Sequence, residues 1–274
     1  MKNDAPFLLV DADVLVYQAA AAAQKIISFE EDTFLPVASL TDALATFNLK
    51  LHALLRTLDA TDYRLCFSDD DANLFRRKLF PAYKRNREGK PRPVILKPLR
   101  DHLLRELSPS RVCRKPALEA DDCMGILATR PSFMPGRRKI IVSIDKDMRG
   151  IPGLFHDMGH PEQDVQTITT EQADLWFMTQ TLTGDPVDGY PGCPGVGPAT
   201  AAKLFRDAPP TIDALWPVVL AACAKAGLGP EYALTQARLA RILRAEDYDF
   251  KKGTVKLWTP PSLPAGTPAS PSSL

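Results

Sequence analysis

Lys139-Ile140-Ile141-Val142-Ser143-Ile144-Asp145-Lys146-Asp147 is the stretch from which the fold is read. Its aliphatic, β-branched run is too short for a helix and reads as a buried strand. It stops on two acids. The same pattern appears upstream, where Phe7-Leu8-Leu9-Val10 runs into Asp11-Ala12-Asp13, and Asp62 to Phe67 runs into Ser68-Asp69-Asp70-Asp71. Arg111 to Cys113 and Gly153 to Phe155 are shorter candidates. Helical patterns lie between: Val14 to Lys25, Leu40 to Leu58 with Thr41 as its cap, Lys97 to Glu106, and a helix opening at Asp122. Residues Ser28 to Pro36 read as a loop.

Strands alternating with helices predict an α/β fold, a Rossmann-like, mainly parallel central sheet flanked by helices. In such sheets, sites gather beyond the carboxyl ends of the strands. Asp11, Asp69, Asp145 and Asp147 all stand at such ends. After Asp147 the pattern turns helical: Thr170 to Thr183 capped by Thr170, Pro198 to Phe205, and most of residues 211–245. Lys251 to Trp258 reads as a last strand. Arg238, Arg241 and Arg244 fall three apart and read as a solvated stripe. The Pro/Ser/Ala-rich tail from Pro260 is expected to be disordered.

Composition bounds the function. A chain of 274 residues, 45% hydrophobic, can bury a proper core. The net charge of +1 leaves no global basic field, so any nucleic-acid signal is local. Five scattered cysteines without a C-x-x-C fit reduced thiols and supply no zinc framework. His156 and His160 read as loop histidines. No run reaches the roughly 18 apolar residues of a membrane span. Asp11 and Asp13 interrupt the apolar N-terminal stretch, which argues against export and for a cytoplasmic chain.

The local basic signal is strong. Residues Arg76 to Arg100 hold ten Lys/Arg and one acid, Glu88, with Phe75, Phe80 and Tyr83 interleaved. That mixture suits a phosphate backbone and stacked bases. Pro81, Pro91, Pro93 and Pro98 preclude one continuous helix. The segment reads as a mobile excursion that carries a short helix around Arg76.

The acids are the second signal. Leu118-Glu119-Ala120-Asp121-Asp122 packs three carboxylates into four residues, at a cost in repulsion that something cationic must offset. With no such cation, all three should lie above their ordinary pKa. Asp145 and Asp147 share a strand end. Glu119 with Asp122, and Asp185 with Asp188, lie one helical turn apart. With Asp11, Asp69 and Asp121 they form an all-oxygen set that suits magnesium or manganese. Two ions about 3.5–4 Å apart serve phosphoryl transfer. Shortly after Asp188, Gly192-Cys193-Pro194-Gly195-Val196-Gly197 opens a helix whose N-terminus can face a DNA phosphate.

Two other readings compete. Val10-Asp11-Ala12-Asp13-Val14 also resembles the first motif of haloacid-dehalogenase-type phosphatases, with Asp11 as nucleophile. That reading leaves the Glu119 cluster, the basic excursion and the glycine hairpin unexplained. A non-catalytic DNA-end binder would use the acids only for a structural ion.

Taken together, the motifs resemble the flap-endonuclease/5′-nuclease superfamily, on the side of its phage T7-type 5′→3′ exonucleases. Val10-Asp11, Phe67-Ser68-Asp69, Phe80-Pro-Ala-Tyr83-Lys84-Arg-Asn-Arg87, Glu119-Ala-Asp121-Asp122, Asp145-Lys-Asp147 and Gly184-Asp185-x-x-Asp188 occur in family order. The resemblance implies a PIN-like nuclease domain over residues 1–168 with a helical arch at about 72–100. A helix-hairpin-helix subdomain over 169–259 and a tail from 260 to 274 would follow. It implies two or three Mg2+ or Mn2+ ions on Asp11, Asp69, Glu119, Asp121, Asp122, Asp145, Asp147, Asp185 and Asp188, and K+ at the hairpin. Lys84 and Arg87 would contact the scissile phosphate, and Tyr83 would stack on a terminal base. Arg76, Arg77, Gly192, Gly195, Gly197 and Lys203 would touch DNA. The implied partners are duplex DNA with 5′ ends, flaps, RNA–DNA hybrids, and phage or host replication proteins, around a monomeric enzyme. The family commonly has Asp-Gly where this chain has Asp11-Ala12-Asp13; Asp13 is expected to cap the helix. The short, proline-rich arch segment leaves a structure-specific flap endonuclease as the alternative to an exonuclease.

Overall fold

The computed structural model describes residues 5–30 and 33–260. The chain runs β1 (Phe7–Asp11), α1 (Ala12–Ala23), a hairpin of β2 (Gln24–Glu30) and β3 (Thr33–Ala38), α2 (Leu40–Thr57) and β4 (Asp62–Phe67). It continues through α3 (Phe75–Leu79), α4 (Leu96–Glu106), β5 (Val112–Arg114), α5 (Ala120–Thr129), β6 (Lys139–Ser143), β7 (Gly153–Asp157) and β8 (Gln166–Ile168). The last part holds α6 (Thr170–Thr183), α7 (Pro198–Phe205), α8 (Ile212–Lys225), α9 (Pro230–Ala240) and the short pair β9 (Tyr248–Asp249) and β10 (Thr254–Val255).

The main sheet has the order β5-β4-β1-β6-β7-β8, parallel except for the antiparallel β8 at one edge. β1 lies at its centre with every residue buried, which is why its sequence is an unbroken apolar run. Alternation then sorts its side chains between two layers. Leu8 and Val10 pack with Leu65, Phe67 and Val142 under α1, α2 and α4. Phe7 and Leu9 pack with Ile141 and Phe155 against α5. A third apolar cluster joins α6 to α9 around Trp216 and Trp258, whose rings meet edge to face at 5.2 Å.

Several expectations are corrected. Residues 28–30 and 33–36 are strand rather than loop: β2 and β3 pair antiparallel from Gln24 with Ala38 to Glu30 with Thr33. Ser39, not Thr41, caps α2, and Thr169, not Thr170, caps α6. Asp11 caps α1 by accepting from the Val14 amide, while Asp13 accepts from the Ser68 amide at 2.9 Å. The last strand shrinks to Thr254–Val255. His156 is a buried residue of β7 rather than a loop histidine. The expected arginine stripe turns inward: Arg241 pairs with Asp247 at 2.8 Å and Arg244 with Asp174 at 2.8 Å, both buried, and Arg238 donates to the Trp258 carbonyl. The expected tail from residue 260 lies almost wholly outside the described residues. Among the described residues no helix is long and apolar enough to cross a membrane.

Candidate active site

The parallel strands deliver their acids to one side of the sheet. Asp11 closes β1, with Oδ2 accepting from the Ser143 hydroxyl at 2.8 Å and Oδ1 from the Val14 amide at 3.1 Å. Burial, then Asp13, push its carboxyl up to about 7 despite those bonds. Asp145 follows β6 and accepts from the Asp147 amide at 2.8 Å. Asp147 is pushed up to about 7 by burial, Asp145 and Asp185, and Gln180 donates to its Oδ1. Asp121, in the first turn of α5, is held well above its ordinary value by burial, Asp145 and Asp11. Asp185 sits where α6 gives way to a turn and accepts from the Val187 amide at 2.6 Å. Burial pushes Asp188 up, against the pull of Lys84 and Arg87.

Mutual repulsion therefore joins Asp11, Asp121, Asp145, Asp147, Asp185 and Asp188 into one electrostatic neighbourhood. Among the described residues no three His, Cys, Asp or Glu side chains already stand as a closed set of ligands. The acids line a shared space without caging a point. An all-carboxylate set whose charges Lys84 and Arg87 offset only in part fits hard divalent cations.

Glu119 behaves differently from its neighbours. Burial pushes it up, yet Lys84 and Arg76 overcome that and hold it at about 2. The expectation that all three acids of this stretch lie above ordinary values is therefore corrected, because the protein supplies its own cations. Asp122 is also corrected as a metal ligand. It is fully buried, takes a two-pronged bond from Arg76 at 2.7 and 2.8 Å, and accepts from the Leu243 amide at 3.1 Å. Its lone pairs are spent inside the core.

Asp69 is tied to Arg114 at 2.8 Å and to the Ala117 amide at 2.9 Å. Burial pushes it up, but the amides of Ala117 and Asp70 and the Arg114 guanidinium together outweigh that and hold it below its ordinary value. The structure thus places it at the end of β4 but with partners of its own.

The basic excursion is seated rather than free. The Lys84 amide donates to the Asp188 carbonyl at 2.7 Å, and the Asn86 side chain donates to the Pro186 and Val187 carbonyls. Lys84, in the left-handed region at φ 55°, points its ammonium at Glu119, with Asp188 at 3.6 Å. Burial pulls the Lys84 ammonium down, but these carboxylates raise it above its ordinary value. Arg87 pairs with Asp188 at 2.6 Å and Arg77 with Glu88 at 2.8 Å. Arg76 is corrected as a DNA contact, since it is 3% exposed. Tyr83 is corrected as a base-stacking residue. It is buried, its hydroxyl donates toward Asp188 at 2.8 Å and Glu119 at 3.0 Å, and its ring stacks on Tyr190 at 6.5 Å.

Gly192, too, is used up by the fold. Its amide donates to Gln236 at 2.9 Å and its carbonyl accepts from Tyr232 at 2.7 Å. Gly195 and Gly197 remain exposed before the start of α7, and Lys203 is exposed in its last turn. Ser143 and Gln180 were missed from sequence. Gln180 had a usable signal: with Ala173 and Phe177 it falls on the buried side of α6.

A family model described as the N-terminal resolvase-like domain of 5′-3′ exonucleases matches residues 6–154. The exodeoxyribonuclease of Enterobacteria phage T3 is 30% identical over 296 residues, covering 95% of each chain. The exonuclease of Escherichia phage T7 is 30% identical over 294 residues, covering 94% of this chain and 95% of its own. Among solved structures, the flap endonuclease of bacteriophage T5, captured as a pseudo-enzyme–product complex with DNA and metal ions, shares the fold. It has a TM-score of 0.59 at 13% identity over 86% of this chain and 89% of that one. The phosphatase reading of Asp11 and Asp13 falls with these matches. The chain belongs to the 5′-3′ exonuclease family of the flap-endonuclease superfamily, beside the phage T3 and T7 enzymes, and is a 5′→3′ exonuclease.

Proposed function

We propose that this exonuclease hydrolyses phosphodiester bonds of duplex DNA from 5′ ends, and also the RNA of RNA–DNA hybrids, releasing 5′-phosphorylated products. The observation that carries the reading is the group of carboxylates beyond the strand ends. Asp11, Asp121 and Asp147 are held above their ordinary values by burial first and by neighbouring carboxylates second, and the hydrogen bonds and lysines beside them do not outweigh that. Asp11, Glu119, Asp121, Asp145, Asp147, Asp185 and Asp188 would hold Mg2+ or Mn2+. Bound there, such ions would supply charge neutralisation at the phosphate and lower the pKa of water.

The protein's own groups divide the remaining work. Lys84 and Arg87 are paired with carboxylates at the edge of the acid group. Both can exchange those partners for phosphate oxygens, with Arg87 offering a planar fork. Ser143 keeps Asp11 turned toward the space, and Gln180 does the same for Asp147. Gly195 and Gly197 would meet the duplex backbone at the start of α7, with K+ at the hairpin, and Lys203 would meet it from the last turn of that helix. Residues 1–168 would act as the nuclease domain and 169–259 as the DNA-binding subdomain. The setting would be replication and recombination of phage DNA in the host cytoplasm, with the chain acting as a monomer.

The test is to incubate 5′-labelled duplex, flap and RNA–DNA substrates with and without Mg2+ and to size the products. Mg2+-dependent short products from the duplex are expected. Asp145→Asn with Asp147→Asn should abolish them while DNA binding persists; retained cleavage in that double variant sinks the reading.

A further inference from the structure

We propose that Arg76 is a positioning residue for Glu119, and that it makes the acid site depend on the docking of residues 239–243. The inference rests on the metal-dependent reading above.

The geometry is complete and unusually expensive to replace. All five guanidinium N–H groups of Arg76 have acceptors. Nε donates to the Leu239 carbonyl at 3.0 Å, and Nη2 to the Arg241 carbonyl at 2.6 Å and to Asp122 Oδ1 at 2.8 Å. Nη1 donates to Asp122 Oδ2 and Glu119 Oε2, both at 2.7 Å. One side chain therefore ties α3 to the first turn of α5 and to the end of α9. Asp122 extends the joint by accepting from the Leu243 amide. The contact is close: a Cβ on Gly125 of α5 would lie 2.4 Å from the Leu243 carbonyl oxygen.

Glu119 is where this joint meets the acid group. Arg76 and the Tyr83 hydroxyl hold Oε2, whereas Oε1 faces Lys84. When Lys84 turns to a phosphate, Oε1 becomes a free donor atom while Oε2 stays fixed. Arg76 thus presents one defined oxygen of Glu119 to a cation. Lysine at this position would keep the charge and lose the fork.

The experiment measures Mn2+ binding by electron paramagnetic resonance on the full chain without DNA, for wild type and Arg76→Lys. Alongside it, duplex DNA affinity in EDTA is measured. Loss of a residue that orients a ligand weakens metal binding by about tenfold or more; that is the result expected, with DNA affinity changed by less than about twofold. A purely structural Arg76 would lower the melting temperature and leave the Mn2+ affinity of the folded protein unchanged, which overturns the proposal. Where Arg76→Lys fails to fold, Arg76→Met with Asp122→Leu replaces the buried pair by apolar side chains that such sites tolerate. Weakened Mn2+ binding in that folded double variant supports the proposal, and full recovery of wild-type affinity overturns it. Failure of the wild type to bind Mn2+ or to turn over DNA with Mg2+ would instead remove the functional reading beneath it.

Discussion

Gly184 and Gly192 cross backbone against backbone: a Cβ built on Gly192 would lie 2.2 Å from the Gly184 nitrogen. Its other neighbours, the Leu182 carbonyl oxygen and the Thr183 carbonyl carbon, are 2.5 Å away and equally unable to retreat. Gly192→Ala should therefore cost about 4 kcal/mol or more, at the far end of single substitutions. Gly195 also has a left-handed φ, at 77°, but no atom within 4 Å. Gly195→Ala should cost only about 1–2 kcal/mol. Urea denaturation of the two variants decides this, and equal losses would contradict the crossing.

Tyr83→Phe separates a core role from a base-stacking role. The hydroxyl serves two carboxylates, Glu119 buried and Asp188 half-buried, and hydrogen bonds to charged groups are worth about 1.5–3 kcal/mol. Thermal unfolding should show a loss of that order with duplex affinity unchanged. A variant of wild-type stability that binds DNA poorly would return Tyr83 to the substrate.

Lys84→Ala should slow cleavage by about 100-fold, the scale of one removed charge-stabilising donor, and weaken DNA binding in EDTA by less than tenfold. The Glu119 carboxyl, held at about 2 by Lys84 and Arg76 against its burial, should titrate higher in the variant. Single-turnover rates across pH read both effects. A change confined to binding would make Lys84 a phosphate anchor alone.

Metal removal predicts an inverted pH dependence of stability. In the folded chain Asp11 and Asp147 titrate at about 7 against an ordinary 3.8, so between those values the folded state binds more protons than the unfolded one. Their contribution is then full below about pH 4 and is lost as pH rises toward 7. Glu119, at about 2, acts at the other end and loses its contribution as pH falls below about 4. In EDTA the melting temperature should fall between pH 5 and pH 7. Mg2+ should raise it most near pH 7.5 and least near pH 5, where protonated carboxylates make poor ligands. Melting curves over pH 4 to 8, with and without Mg2+, check both signs.

The sheet was legible because burial on both faces leaves an unmistakable apolar run in β1 and β6, and because the runs of β1, β4 and β6 each lead into an acid. Asp11, Asp145 and Asp147 followed directly from that. Asp122 and Arg76 did not, since a charge in sequence carries no sign of its depth. What distinguishes them is that their mates, Glu119 aside, lie far along the chain: Leu239, Arg241 and Leu243 read only as part of a helical, arginine-bearing stretch. Tyr83 misled in the same way, because an aromatic among basic residues looks the same whether it faces a base or Tyr190. The β2–β3 hairpin was hidden by Pro36, which the edge of a two-stranded ribbon tolerates.

The bonds from Arg76 to Leu239 and Arg241 span 163 and 165 residues. A ribosome adding about 5–20 residues each second therefore finishes the sheet and all the strand-end acids well before Arg76 finds its last acceptors. Until then the Arg76 guanidinium lacks two of its acceptors. The stretch from 6 to 154, made on its own, would keep that defect permanently. A growing chain therefore closes the joint between α3, α5 and α9 only once residue 243 has been made.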